Sequence, residues 1–310
     1  QAPVLVRDPH AKNAKAGDKV VFDLVVHPDE FTVGEAAITE VLGVSGEPDV
    51  ETRAVIESYG LRDGFEDVVL DEARAAAATF EHDAKEIGDD REDLSDRLIF
   101  TIDPPDAKDF DDAISIDYDE ETGEWELGVH IADVANFVET GSEIDLEAER
   151  RGNSAYLPRL VLPMIPETLS NGVCSLQEGV PRFTKSAFIH LDNKGRVMGT
   201  RLARTLIHSR KRLTYLEAQA LIDGDLKLAR QHTRAEPAYE DDLLVALRRA
   251  DKLARIIRTR RMRDGMLVLG LPEFELVFDD EGHVIDAQPE DDAYTHTIIE
   301  MFMVEANEAV

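Results

Sequence analysis

Five aspartates crowd one short stretch of this chain, Asp103-Pro-Pro-Asp-Ala-Lys-Asp-Phe-Asp-Asp112, at positions 103, 106, 109, 111 and 112. Carboxylates this close repel one another and raise each other's pKa. A fold accommodates them where water reaches the cluster or where a cation neutralises it. An all-oxygen donor set suits a hard ion such as Mg²⁺ or Mn²⁺. Two such ions side by side would clamp a phosphodiester for in-line attack by water. The competing reading is an acidic surface loop in an acidic chain. An EF-hand is excluded, because the loop has neither the glycine at position six nor the glutamate at position twelve. The nearby Asp117-Tyr-Asp-Glu-Glu121 fails the same test and reads as a solvated hairpin tip.

The elements around the cluster are legible from patterning. A buried strand, Arg97-Leu-Ile-Phe-Thr-Ile-Asp103, leads into it, and a hairpin leaves it through Ala113–Asp117 and Trp125–Ile131. Residues 18–44 alternate as two short strands about Pro28-Asp29, the end of a small barrel. Helices are expected over 49–59 and 71–80, the second capped by Asp71, then over 144–151, 214–222 and 241–262 and from Ala293. Residues 154–176 read as a long Pro-punctuated loop. Further strands are expected over 186–191 and 196–207, with a hairpin over 273–285. Residues 81–97 carry eight carboxylates in seventeen positions and read as a linker. The resulting order is α+β.

Composition narrows the chemistry. The 310 residues carry 34 Lys+Arg against 65 Asp+Glu, a formal charge of −31. A polyanion would therefore be held by local basic clusters or metal ions and not by a uniformly basic coat. Two such clusters exist. One holds Arg201, Arg204, Arg210, Lys211 and Arg212, and the other holds eight Arg/Lys from Arg248 to Arg263. They either line a channel for a phosphate backbone or pair with neighbouring acids. One cysteine, Cys174, excludes internal disulfides and multi-cysteine zinc sites and reads as packing. His130 reads as structural, and no apolar run reaches the ~20 residues of a membrane helix. A cytoplasmic protein is the default expectation, no protein partner is indicated, and the two ends suggest a piece of something longer.

Beyond spacing, Thr101-Ile-Asp-Pro-Pro-Asp-Ala-Lys-Asp-Phe-Asp-Asp-Ala113 is similar to the signature of the ribonuclease II / ribonuclease R (RNB) exoribonuclease family. So are Val129-His-Ile-Ala-Asp-Val134, the block Gly152–Pro158 through Leu162–Leu176, Arg212-Leu-Thr-Tyr215, and His296–Asn307. These five blocks stand in register from about residue 96 onward. The resemblance implies processive, Mg²⁺-dependent (Mn²⁺ possible) 3′→5′ hydrolysis of single-stranded RNA to nucleoside 5′-monophosphates. It implies a partial OB-like, cold-shock-type barrel over 1–48, a helical acidic linker over 49–95 and a C-terminally incomplete catalytic domain over 96–310.

Carried over by position, Asp103, Asp109, Asp111 and Asp112 correspond to the catalytic aspartates and metal ligands. Asp111 is the one that orients the attacking water, and Asp106 stands outside them. Tyr156 corresponds to the aromatic that stacks the 3′-terminal base, and Tyr215 and Glu300 to residues near the RNA end. Leu269 stands where the family has a clamping aromatic. The family's domain continues beyond Asn307 into a part with a phosphate-stabilising arginine and a final OB-type domain. A catalytically incomplete RNA-binding or scaffold fragment of the same family is the alternative expectation.

Overall fold

The computed structural model describes residues 4–29, 32–83, 88, 90–236, 238–271, 274–289 and 291–310, without the side chains of 81–83. In chain order the elements are β1 (Val4–Val6), β2 (Asp18–Val26), β3 (Gly34–Val44), α1 (Pro48–Tyr59), α2 (Asp67–Asp83), β4 (Glu92–Asp93), β5 (Ile99–Asp103), β6 (Asp112–Tyr118) and β7 (Trp125–Ala132). There follow α3 (Glu143–Arg151), β8 (Ala155–Leu157), β9 (Leu160–Leu162), β10 (Pro181–Leu191), β11 (Val197–Thr214), α4 (Tyr215–Asp223), α5 (Leu226–His232), α6 (Asp241–Arg263), β12 (Phe274–Phe278), β13 (Val284–Pro289) and α7 (Tyr294–Ala309). This mixture is the α+β architecture expected. The chain divides into two compact units. One comprises Gln1–Glu66, Ala148–Met164 and Glu273–Pro289, and the other comprises Asp67–Glu147, Ile165–Pro272 and Glu290–Val310.

In the first unit, β3 is the central strand, parallel to β1 and antiparallel to β2. Helix α1 lies close on this sheet. A Cβ on Gly43 would come within 2.7 Å of Val50 Cγ2, and Gly43 also has φ +132°, so only glycine fits there. The unit's other strands form two hairpins, β8–β9 and β12–β13.

In the second unit, β6 and β7 pair antiparallel, β7 pairs with β10, and β10 pairs with β11. Strand β11 is long enough to serve two partners. Its first part runs against β10, and beyond an irregularity between Ser209 and Lys211 its last residues run parallel to β5. Because β5 also pairs with β6, the strands close into a ring. Helices α4, α6 and α7 cover a core of Phe100, Ile114, Trp125, Leu127, Ile189 and Leu213. Ala246, Ala250 and Ala254, one turn apart on α6, are all buried and permit its close approach.

Several sequence readings need correction. Helix α2 begins at Asp67, not at Asp71, because the buried Val69 already lies on its core face, so Asp71 sits in the second turn and is no cap. The expected loop over 154–176 contains the β8–β9 hairpin and a helical turn at Thr168–Val173. Helix α5, too short to show a period, was not foreseen.

His130 is fully buried and structural, as expected. Its Nε2 lies 3.0 Å from Ser115 Oγ and its Nδ1 2.7 Å from Ser186 Oγ. Burial holds its pKa down at about 3, so the ring is neutral and both nitrogens are satisfied. Gly128, opposite Ser115 across β6–β7, makes room for this contact, since a Cβ there would sit 2.3 Å from Ser115 Oγ. Gly128→Ala is therefore expected to cost about 1–3 kcal/mol of stability by overpacking. Urea unfolding measures it, and an unchanged midpoint would show that the site yields at no cost.

Candidate functional site

Strand β5 is buried at every position and delivers Asp103 to its end, where the residue is only 7% exposed. Asp109 and Asp112 are half-buried and Asp111 is exposed on the loop between β5 and β6. Local chemistry holds that loop. Ser175 Oγ donates to Lys108 O at 2.7 Å and accepts from Phe110 N at 3.1 Å. Leu176 N donates to Phe110 O at 2.8 Å, and Ala132 N donates to Asp111 O at 2.9 Å. Phe110, between two of the aspartates, is buried at 5% exposure and anchors the segment by its ring. These contacts thus fix the backbone that carries Asp109 and Asp111, between the strand ends that carry Asp103 and Asp112.

The electrostatics follow from crowding and burial. Burial foremost pushes Asp103 up to about 7, with the Asp112 and Asp111 charges adding to it and the Thr101 hydroxyl and Arg212 opposing it. Thr101 Oγ1 and Asp103 Oδ2 nevertheless make no hydrogen bond of ordinary geometry, although both are buried. Asp112 is pushed up to about 6 by burial and then by Asp111. Asp111, exposed by surface area but crowded by its neighbours, is raised by partial desolvation first and by Asp109 second.

A buried carboxylate oxygen without a donor, beside three further carboxylates, fits a hard divalent cation in chemistry. Among the described residues no three of these aspartates bring oxygens within 4.8 Å of one another. The group that does so is Asp279, Glu281 and His283 in the first unit. That group is a hairpin turn, in which Asp279 Oδ1 already accepts the backbone N–H groups of Glu281 and His283 at 3.0 and 2.8 Å. A hard ion such as Mg²⁺ commonly keeps several waters and does not require a closed cage of protein ligands.

Parallel pairing of Thr214 with Asp103 places Tyr215 one residue beyond the Asp103 partner position. A reciprocal capping box fixes this point. Thr214 Oγ1 accepts from Glu217 N, and the Glu217 carboxylate accepts from Thr214 N, both at 3.2 Å. The Tyr215 ring stacks on His296 with centroids 3.7 Å apart and planes at 22°, and Thr295 Oγ1 donates to Tyr215 O at 2.8 Å. Glu300 is exposed one helical turn after His296, so the structure brings the Tyr215 ring to the face of α7 that carries Glu300. Tyr156 belongs to the first unit, where it lies opposite Val161 in β8–β9 and is 72% exposed. Leu269 is 78% exposed.

The basic clusters are occupied largely by acids. Arg201 meets Glu92 at 2.5 Å and Arg204 meets Asp90 at 2.6 Å, while Arg210 pairs with Glu240. Lys211 is buried beside Glu178. In the second cluster Arg255 pairs with Asp251, and Arg260 and Arg261 share the buried Glu305. Sequence reading missed Ser175 as a support of the loop, and its separation of 65 residues from Phe110 left no local signal of it.

The family profile described as RNB domain matches residues 91–310, and that described as cold shock domain matches residues 1–66. The chain is 36% identical over 300 residues to Ribonuclease R of Thermotoga maritima, covering 96% of this chain and 40% of that protein. It is 34% identical over 308 residues to Ribonuclease R of Aquifex aeolicus, covering 99% of this chain and 42% of that protein. The chain thus spans about two fifths of the length of these curated relatives. Among solved structures, Mycoplasma genitalium RNase R in complex with ribose methylated single-stranded RNA superposes with a TM-score of 0.85 at 29% identity. That match covers 99% of this chain and 46% of the other. No helix among the described residues is long and apolar enough to cross a membrane.

The raised carboxylates predict a pH dependence of stability. Their folded pKa values lie above the ordinary carboxylate range near 4, so their contribution is complete below about pH 4. It is lost as pH rises through about 6 and 7, where Asp112 and Asp103 ionise. In EDTA, the thermal midpoint of the chain should therefore fall across that window, and Asp103→Asn should flatten the decline. A midpoint independent of pH from 4 to 8 would contradict this electrostatic account.

Proposed function

The chain belongs to the ribonuclease II / ribonuclease R (RNB) family, and on that premise we propose that it carries the metal-binding part of the catalytic centre of a processive 3′→5′ exoribonuclease. The substrate in this reading is single-stranded RNA, released as nucleoside 5′-monophosphates. The observation that carries it is the buried, donorless Asp103 Oδ2, with Asp109 and Asp111 on the loop that follows and Asp112 at the start of β6. Asp103, Asp109, Asp111 and Asp112 would hold Mg²⁺ or Mn²⁺. When bound, such ions offset charge on the phosphate and ease the ionisation of water.

The chain's own residues divide the remaining work. Asp111, the most accessible of the four, orients the attacking water by accepting its hydrogen bond. Tyr156, on an exposed hairpin, offers a ring to the 3′-terminal base, and stacking tolerates any sequence because every base has a π-face. Tyr215 and Glu300 meet the RNA end. Leu269 in place of an aromatic weakens stacking at its position and alters the smallest product. In domain terms, 1–48 end an OB-type barrel, 49–95 link, and 96–310 begin the catalytic domain. The protein acts in the cytoplasm.

Because the chain spans only two fifths of its relatives, binding without cleavage is the second reading. A 5′-labelled single-stranded RNA with Mg²⁺ separates the two. Shortening from the 3′ end is expected, abolished by EDTA and reduced about 10²–10⁴-fold by Asp111→Asn with RNA binding retained. Binding without shortening at saturating Mg²⁺ would favour the scaffold reading. Unchanged shortening by the Asp111→Asn variant would overturn the assignment of that residue.

A further inference from the structure

Arg212 stands in both a basic cluster and the Arg-Leu-Thr-Tyr block, yet the hydrogen bonds of its side chain go to backbone carbonyls, and among the described residues it forms no ion pair. On β11 it pairs with Thr101, two residues before Thr214 meets Asp103. From there its Nη2 donates to Pro105 O at 3.2 Å and Ala107 O at 3.3 Å, with a longer contact to Pro104 O at 3.5 Å. The guanidinium carbon lies 4.5 Å from the centroid of the Phe110 ring. One side chain therefore touches four residues of the segment that separates Asp103 from Asp111.

Backbone chemistry explains why this segment needs an external hold. Pro104 and Pro105 have no N–H, so neither can join a ladder as a donor, and their carbonyls are the groups left to grasp. The Ala107 N–H returns to Pro104 O at 3.2 Å, which closes one turn and leaves the Pro105 and Ala107 carbonyls to be satisfied from outside. A planar guanidinium can reach several carbonyls and still lay its face on an aromatic ring. A lysine ammonium is a point charge and cannot do both. Ser175 secures the next three residues, so the two side chains together cover the loop from 104 to 110.

We propose that Arg212 is a positioning residue that sets the aspartate loop for cation binding, and not a contact to the phosphate backbone of RNA. This rests on the metal reading of the aspartates, and the sign of the effect distinguishes it from simple electrostatics. Arg212 is a positive charge close enough to Asp103 to lower its pKa. Taken as a charge alone, it repels an incoming cation, so its removal would tighten metal binding. Taken as a clamp, its removal loosens the ligands and weakens binding despite the relieved repulsion.

The test titrates Mn²⁺ calorimetrically into this chain and into its Arg212→Met and Arg212→Lys variants. Amide hydrogen exchange across residues 106–112 is followed in parallel. Arg212→Met is expected to weaken Mn²⁺ binding roughly 10–100-fold, the usual cost of losing a group that orients metal ligands. Arg212→Lys, with charge retained and the fork lost, is expected to weaken it as well, and both variants should exchange faster in the loop. Equal or tighter Mn²⁺ binding by Arg212→Met, with unchanged exchange, would overturn the proposal. If Arg212→Met fails to fold, Arg212→Lys decides by the same two readings. If the unsubstituted chain takes up no Mn²⁺, the metal reading fails by itself. Loop exchange then decides the clamp, with faster exchange supporting it and unchanged exchange refuting it.

Discussion

Burial of carboxylates that also crowd one another within ten residues of chain is the constraint on which the candidate site depends. At the end of a strand with no exposed residue, Asp103 is pushed to about 7, and Asp112 follows at about 6. Groups so placed move apart unless the backbone beneath them is held. The structure holds it with neutral donors and acceptors from Ser175, Leu176 and Ala132, and with one cation, Arg212.

The ring of strands is what brings those supports together. Strand β11 changes partner from β10 to β5 at its irregularity near Ser209. That change carries Arg212 under the loop and places Thr214 beside Asp103. The capping box at Thr214 then starts α4 at a defined residue, and Tyr215 is directed onto His296. Asp103 and the Tyr215–His296 pair are thus linked through a single strand end. Displacement of β11 would move both.

Legibility in the sequence followed sequence distance. The aspartate cluster, β5, the β6–β7 hairpin and α6 are local patterns, and their types were readable within a few residues at each end. The role of His130 was readable from its place on an apolar strand. Ser175 and Arg212 were not, because their partners in the loop lie 65 and more than 100 residues away. The basic clusters left two readings open for the same reason. Arg201 and Arg204 find Glu92 and Asp90 across more than a hundred residues, and a charge run does not name its counter-ions. The start of α2 was misplaced because Asp71 is a good cap by composition, whereas Val69 places the first core contact one turn earlier.

The central claim is that Asp103 and the loop after it form a divalent-cation site. Anomalous diffraction at the manganese edge, from crystals of this chain soaked in Mn²⁺, tests it most directly. The account predicts a peak within about 2–2.5 Å of Asp103 Oδ2 and of an oxygen of Asp109, Asp111 or Asp112. Absence of a peak there, or a peak solely at the Asp279–Glu281–His283 turn, would contradict it.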